Sequence, residues 1–285
     1  MEIKASQVKE LRDMSGVAMM ECKKALVECE GDIEKALDLL RSNSSLKAEK
    51  KASRVAADGV IRIVNTDSYA TIVEINSETD FAAKDAGFIA FADEVAAYVT
   101  NNKTKEIADF INSEIEEKRL NLVQKIGENI QLRRLETIEF NSSMSVGSYV
   151  HSDGKLATLV VTNSDDVELA KDIAMHIAAS NPLCKTPEEI DNETLEREKA
   201  IFKTQASESG KDEAIMEKMV EGKVRKYLAE VSLTSQAFIK DPDITVGKLL
   251  LDKNTDVIGY VRFKVGEGIE VESKSFADEV AEQLK

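Results

Sequence analysis

Apolar and polar residues alternate through Thr71-Ile72-Val73-Glu74-Ile75, the mark of a half-buried strand. The period then changes. Phe88, Phe91, Ala92, Val95, Ala96 and Val99 recur at three- and four-residue steps, which predicts a helix. Between the two lies Ser77-Glu78-Thr79-Asp80-Phe81. Thr79 and Asp80 bring the side-chain oxygens that the free N–H groups of a helix start need. Phe81 lies seven residues before Phe88, so one continuous helix would place both rings on a single core face. The other reading is an exposed apolar tip at a strand–helix junction, presented to a partner.

The chain repeats this unit. Ala70-Thr71-Ile72-Val73 matches Ala157-Thr158-Leu159-Val160, Asn76-Ser77 matches Asn163-Ser164, and Ala83-Lys84-Asp85 matches Ala170-Lys171-Asp172. The offset is 87 throughout (157−70, 163−76, 170−83), without a gap. Phe81 then falls opposite Glu168, and Asp80 opposite Val167. A buried position seldom accepts glutamate, so shared folding of the copies predicts that the Phe81 position is at or near the surface.

The pattern extends to both sides. Residues 1–45 read as three short helices. Ser6 can cap the first, which carries Val8 and Leu11 and breaks at Gly16. The second has Ala18, Cys22, Ala25, Leu26 and Cys29 on one side, leaving Met20, Lys23, Lys24 and Val27 on the other and Met19 at the edge. Cover by a neighbouring helix and an adaptable contact surface are both open for that second side. Gly31 ends this helix, and Asp32 caps a third with Ile33, Ala36, Leu37 and Leu40. Residues 46–55 form a charged connector.

From Asp58-Gly59 a strand hairpin feeds the helix of the first copy, residues 56–140 in all. Residues 104–125 are again helical, and a strand runs from Ile130 to Glu136. Gly127 is either a helix C-cap or a point of close backbone approach. The second copy takes residues 141–185 and 230–263, with His151 near a hairpin tip, where a lone histidine is ordinarily just solvated. Residues 186–229 insert an antiparallel helical hairpin, opened by Thr186-Pro187. Residues 264–285 form a C-terminal module whose helix carries Phe276, Ala277, Val280 and Leu284. The fold class expected is α+β.

Charge narrows the function. With 38 basic and 53 acidic residues the net charge is −15, unsuited to a surface that grips nucleic-acid phosphates. The three cysteines have no framework spacing, which fits a reducing compartment. The two histidines have no close cysteine partner for zinc. No signal peptide or membrane-length apolar run is seen, so the cytoplasm is expected. There is no Gly-rich phosphate loop and no nucleophile–base constellation, so neither a bound cofactor nor an enzyme active site is expected.

Thr79-Asp80-Phe81 followed by Ala83-Lys84-Asp85 resembles the signature loop of the elongation factor Ts family. Ser15-Gly16-Val17-Ala18-Met19-Met20-Glu21-Cys22-Lys23-Lys24-Ala25-Leu26 resembles the family's N-terminal signature. Lys125-Ile126-Gly127-Glu128-Asn129, Met219-Val220-Glu221-Gly222 and Gly266-Glu267-Gly268-Ile269-Glu270 are similar to later segments, in order.

The resemblance implies an exchange factor for the GTPase elongation factor Tu, binding its GDP-bound and nucleotide-free forms. It implies an N-terminal bundle of the ubiquitin-associated type. Contacts to the GTPase would come from Arg12, Met19, Met20 and Lys23, from Thr79, Asp80 and Phe81 with Ile126 and Gly127 beside them, from His151 and from the C-terminal module. Phe81 would wedge into the GTPase and displace elements that hold Mg²⁺. Asp80 would seat the tip or disturb the Mg²⁺ water network. The helical hairpin is implicated in self-association in some members, so a homodimer or a two-to-two complex remains open. A scaffold or adaptor without exchange activity is the alternative.

Overall fold

The structure, a computed structural model, describes residues 3–208 and 212–270. The expected C-terminal helix and the turn around Gly210 lie outside the described residues. Three helices come first: α1 (Ala5–Ser15), α2 (Met19–Glu28) and α3 (Ile33–Lys51). Val8, Leu11, Val17, Cys22, Ala25, Leu26, Ala36 and Leu40 close their core. The cap of α1 is Lys4 rather than Ser6; Gln7 reaches back to the Lys4 N–H at 3.1 Å. Asp32 caps α3, accepting from Lys35 N–H at 3.1 Å.

Helix α3 does not stop at residue 45. It runs on to Lys51 through the first part of the expected connector, with Ala48 buried against the next unit. One small apolar residue among lysines and glutamates was enough to seat that last turn.

The first core unit has strands β1 (Asp58–Asn65), β2 (Tyr69–Ser77) and β3 (Ile130–Glu139) in an antiparallel sheet of order β1-β2-β3. After β2 come the one-turn helix α4 (Asp80–Ala83), α5 (Ala86–Asn102), a 3₁₀ turn at Ile107–Phe110 and α6 (Glu114–Ile126). The second unit has β4 (Ser145–Val150), β5 (Leu156–Thr162), α7 (Val167–Ser180) and β8 (Val257–Lys264), with sheet order β4-β5-β8. Between α7 and β8 lie the hairpin helices α8 (Asn192–Ser207) and α9 (Glu213–Val231). They are followed by the short strands β6 (Ala237–Phe238) and β7 (Asp241–Thr245) and by α10 (Val246–Asp252). The polar helix expected from Thr186 begins at Asn192, capped by Asp191, after a 3₁₀ turn at Pro187–Glu189.

Strand β2 is buried along its whole length, on both faces, not on one. Val73 and Ile75 join Phe88, Phe91, Val95 and Val99 of α5 in one core. Ile72, on the other face, meets Ala157 and Phe263 of the second sheet. The sheets therefore pack on each other through their central strands, and each carries its helix outside.

The repeat is geometric as well as textual. The β2–β3 register shifts between Glu74 and Ile75, and the β5–β8 register shifts between Val161 and Thr162, again 87 residues on. Thr79 caps α4 by accepting from Ala82 N–H, and Asp166 caps α7 by accepting from Leu169 N–H, at the same offset.

The two helices then diverge. Helix α7 is continuous, whereas α4 stops at Ala83 and α5 restarts at Ala86, where Asp85 accepts from the N–H groups of Gly87 and Phe88. That break takes Phe81 out of phase with Phe88. Phe88 is fully buried, and Phe81 is 82% exposed.

Candidate functional site

Strand β2 ends at Ser77, and the next turn must change direction within a few residues. Ser77 Oγ donates to Thr79 O at 3.0 Å, which folds the chain over. Thr79 Oγ1 then accepts from Ala82 N–H at 3.2 Å, and Ala82 and Ala83 sink into the core as the footing of α4. Phe81 lies between a polar cap and a small apolar footing, and its ring is left uncovered by the described residues. Asp80 is held at 2.7 Å by Lys84 Nζ, one turn on. The hydrogen bond from Lys84, with the charges of Lys84 and Lys155, holds the Asp80 carboxyl below the usual aspartate range, so it is an anion at neutral pH.

A second loop grips this tip. Helix α6 ends in a left-handed Gly127 (φ 89°), whose N–H donates to Val123 O. Gly127 is therefore the C-cap, and the turn it permits also brings the next two residues against the tip. Glu128 accepts from Thr79 N–H at 3.0 Å through one carboxylate oxygen and from Thr79 Oγ1 at 2.7 Å through the other. Glu78 returns the contact, accepting from Asn129 N–H at 2.6 Å. Asn129 is buried, and its amide donates to Arg54 O at 2.8 Å. Lys51 sits over Gly127, its ammonium pushed below the lysine range by burial and by Arg54.

The β4–β5 hairpin reaches the same end of the sheet. Ile61 N–H donates to Gly154 O at 2.9 Å, and Lys155 Nζ lies 2.7 Å from Asp58, which pairs with Ser77 across the β1–β2 ladder. His151 stands exposed at this hairpin tip, 2.9 Å from Asp153. Ile126 and Gly127 are half-buried beside the Phe81 turn.

Arg12, Met19, Met20 and Lys23 are all exposed on the helical bundle and take no part in the hydrogen bonds at the tip. The side of α2 opposite its core is therefore uncovered: Met19 is 48% exposed and Met20 64%. Lys125 spans from the α1–α2 corner to the start of α5, packing near both Gly16 and Gly87, so the bundle's corner lies at this end of the first unit.

Three acidic residues were not singled out by sequence reasoning. Glu78 and Glu128 each stand one residue from a recognised position, and only the fold pairs them. Glu74, in the alternating strand, reads as solvent-facing yet is fully buried. It accepts from Arg133 at 3.0 Å, Arg134 at 2.5 Å and Gly266 N–H at 2.9 Å. Burial would push its carboxyl up; the hydrogen bonds from Gly266 and Arg134, with Arg134's charge, outweigh that and bring it below the usual glutamate range. His176, given no role from the sequence, is also buried. Its Nδ1 accepts from Ile239 N–H at 3.2 Å, so the proton sits on Nε2, which donates to Gln236 at 2.9 Å.

Among the described residues no cluster of three or more His, Cys, Asp or Glu could hold a metal ion, and no helix is long and apolar enough to cross a membrane.

A family model described as elongation factor Ts matches residues 78–267, more than half of the chain. Elongation factor Ts of Hahella chejuensis is 52% identical, covering 99% of this chain and 99% of its own. That of Saccharophagus degradans is 50% identical over 100% of this chain and 98% of its own, and that of Teredinibacter turnerae 49% over 100% and 98%. Likeness of this extent, over nearly the full length of each relative, settles the membership: the chain belongs to the elongation factor Ts family.

Proposed function

We propose that this chain acts in translation as a guanine-nucleotide exchange factor, binding elongation factor Tu and promoting release of its GDP so that GTP can rebind. The observation that carries the reading is Phe81, 82% exposed on a tip whose cap residue, Thr79, is bonded to Glu128 on one side and to Ala82 N–H on the other. An unsupported aromatic on a rigid mount is suited to insertion into a partner.

The mechanism is linkage. A partner that binds the nucleotide-free GTPase more tightly than the GDP-bound one must weaken GDP binding by the same factor. Phe81 enters the GTPase near the elements that hold Mg²⁺ and the nucleotide. The Asp80 carboxylate accompanies it, either seating the tip or competing for the Mg²⁺ water network. Burial of one phenylalanine supplies about 1.5–3 kcal/mol, and each 1.4 kcal/mol is about tenfold in an equilibrium. Phe81 therefore needs help. The Met19–Met20 face with Arg12 and Lys23, the Ile126–Gly127 turn, His151 and the C-terminal module would hold the GTPase while the wedge acts. No chemical step on the chain itself is required, and the cytoplasm is the compartment this role implies. Self-association through α8 and α9 is compatible with it.

The test is release of labelled GDP from elongation factor Tu. The native chain is expected to speed release, and Phe81→Ala to bind still while releasing GDP more slowly. Binding by the native chain without any change in release would favour the scaffold reading instead.

A further inference from the structure

We infer that Glu128, whose carboxylate accepts from Thr79 while Glu78 accepts from Asn129 N–H, is a positioning residue for the Phe81 tip; this rests on the exchange role proposed above. Helix α4 has four residues, too short to persist through its own hydrogen bonds. Something outside it must fix its first turn.

The Thr79 hydroxyl donates to Glu128 Oε1 and accepts from Ala82 N–H. The carboxylate thus turns the hydroxyl so that its lone pair faces the helix. Removing the carboxylate frees the hydroxyl to rotate and loosens the cap one bond further on. The other carboxylate oxygen takes Thr79 N–H, and Glu78 takes Asn129 N–H in return. Two backbone segments about fifty residues apart are held by one charged acceptor from each side.

The clasp holds only in the first unit. In the second, Asp166 stands at the Thr79 position and caps with its own carboxylate, starting a helix of fourteen residues that continues unbroken. The unit that carries the aromatic tip has a short helix whose cap is held by a carboxylate from another loop; in the other, Asn163 and Asp256 exchange hydrogen bonds at the matching place, but the cap is Asp166 itself and the helix is long.

Glu128 therefore acts through Phe81 and not through binding at large. The experiment measures GDP release from elongation factor Tu against concentration of the native chain, Glu128→Ala, Phe81→Ala and the double variant. Glu128→Ala is expected to lower the plateau rate about tenfold. The half-saturating concentration should stay nearly constant. Glu128→Ala should add no further loss in the Phe81→Ala background, and Glu128→Gln, which keeps one acceptor, should recover part of the rate. Amide hydrogen exchange at Thr79 is expected to rise in Glu128→Ala with β2 unchanged, which separates a loosened tip from a misfolded chain.

An active native chain with an unimpaired Glu128→Ala overturns the positioning role alone. Equal losses from Glu128→Ala with and without Phe81 overturn it too, because they place Glu128 in the scaffold. A native chain that leaves GDP release unchanged removes the exchange role and the positioning role together.

Discussion

Phe81 and Glu168 occupy the same place in two copies of one unit, 87 residues apart, and both side chains stand in solvent. The glutamate needs no reason to be there. The phenylalanine does, because burying its ring would be favourable and none of the described residues covers it. Phe81→Ala is therefore expected to leave stability within about 0.5 kcal/mol of native, as for an ordinary surface change. Urea unfolding of the two proteins checks this. A loss of several kcal/mol would show that the ring is packed in solution.

Glu74 joins β2 to two arginines of β3 and to the turn after β8. Glu74→Ala leaves Arg133 and Arg134 without their common partner, and a loss of about 3 kcal/mol is expected. The effect depends on pH. The folded chain holds this carboxyl below the ordinary value of 4.5, so its stabilisation is present above that value and fades as pH falls through it towards the folded value. Unfolding curves measured from pH 7 downward should show the gap between native and variant constant above 4.5 and narrowing below it.

His176 titrates in the other biologically relevant window. Its neighbours are Gln236, the Ile239 N–H and the Phe238 ring, none of which carries charge. Burial pushes the imidazole below its ordinary value of 6.5. The unfolded chain then takes up the proton first, so stability is full above that value and declines as pH drops below it. The native chain should lose up to about 1.4 kcal/mol per pH unit there, and His176→Asn should show a shallower decline from a lower starting stability.

Two glycines should respond in opposite senses. A Cβ on Gly147 of β4 would lie 2.1 Å from the Ala170 carbonyl, because α7 rests directly on that strand. Gly147→Ala is expected to cost about 3 kcal/mol or more. Gly222 lies inside α9 with nothing within 4 Å of the added carbon, so close packing does not require a glycine there. Gly222→Ala should stabilise that helix by up to about 1 kcal/mol. Thermal unfolding of both variants measures the contrast.

Much of the fold is legible in the residues. Asp32 and Thr79 cap the helices their spacing announces, and the change of period at Ser77 marks a true strand–helix junction. The angular pattern of α2 separates its core side from the side with Met20 and Lys23 but leaves the cover of that second side open; the fold leaves it exposed. Periodicity alone left Phe81 between core and surface. The comparison with Glu168 resolved it, since a duplicated unit reports on its own solvent exposure.

What could not be read depends on contacts between distant segments. Glu74 looked like the polar face of a strand, and its pairing with Arg133, Arg134 and Gly266 exists only once two sheets have met. The reciprocal bonds of Glu78 and Glu128 likewise join a strand end to a helix end. Alternation cannot tell a strand with one wet face from one covered by a helix on one side and a second sheet on the other.

The register shift at Glu74 and its counterpart at Val161 have a historical consequence. The same irregularity sits at the same step of both central strands, although one carries a buried anion and the other an aliphatic side chain. An accident of chain path shared this closely points to inheritance: one ancestral segment, copied and joined to itself, with backbone detail outlasting the side chains. Specialisation then came by divergence of one copy against an unspecialised twin, so the molecule carries its own reference for what was changed.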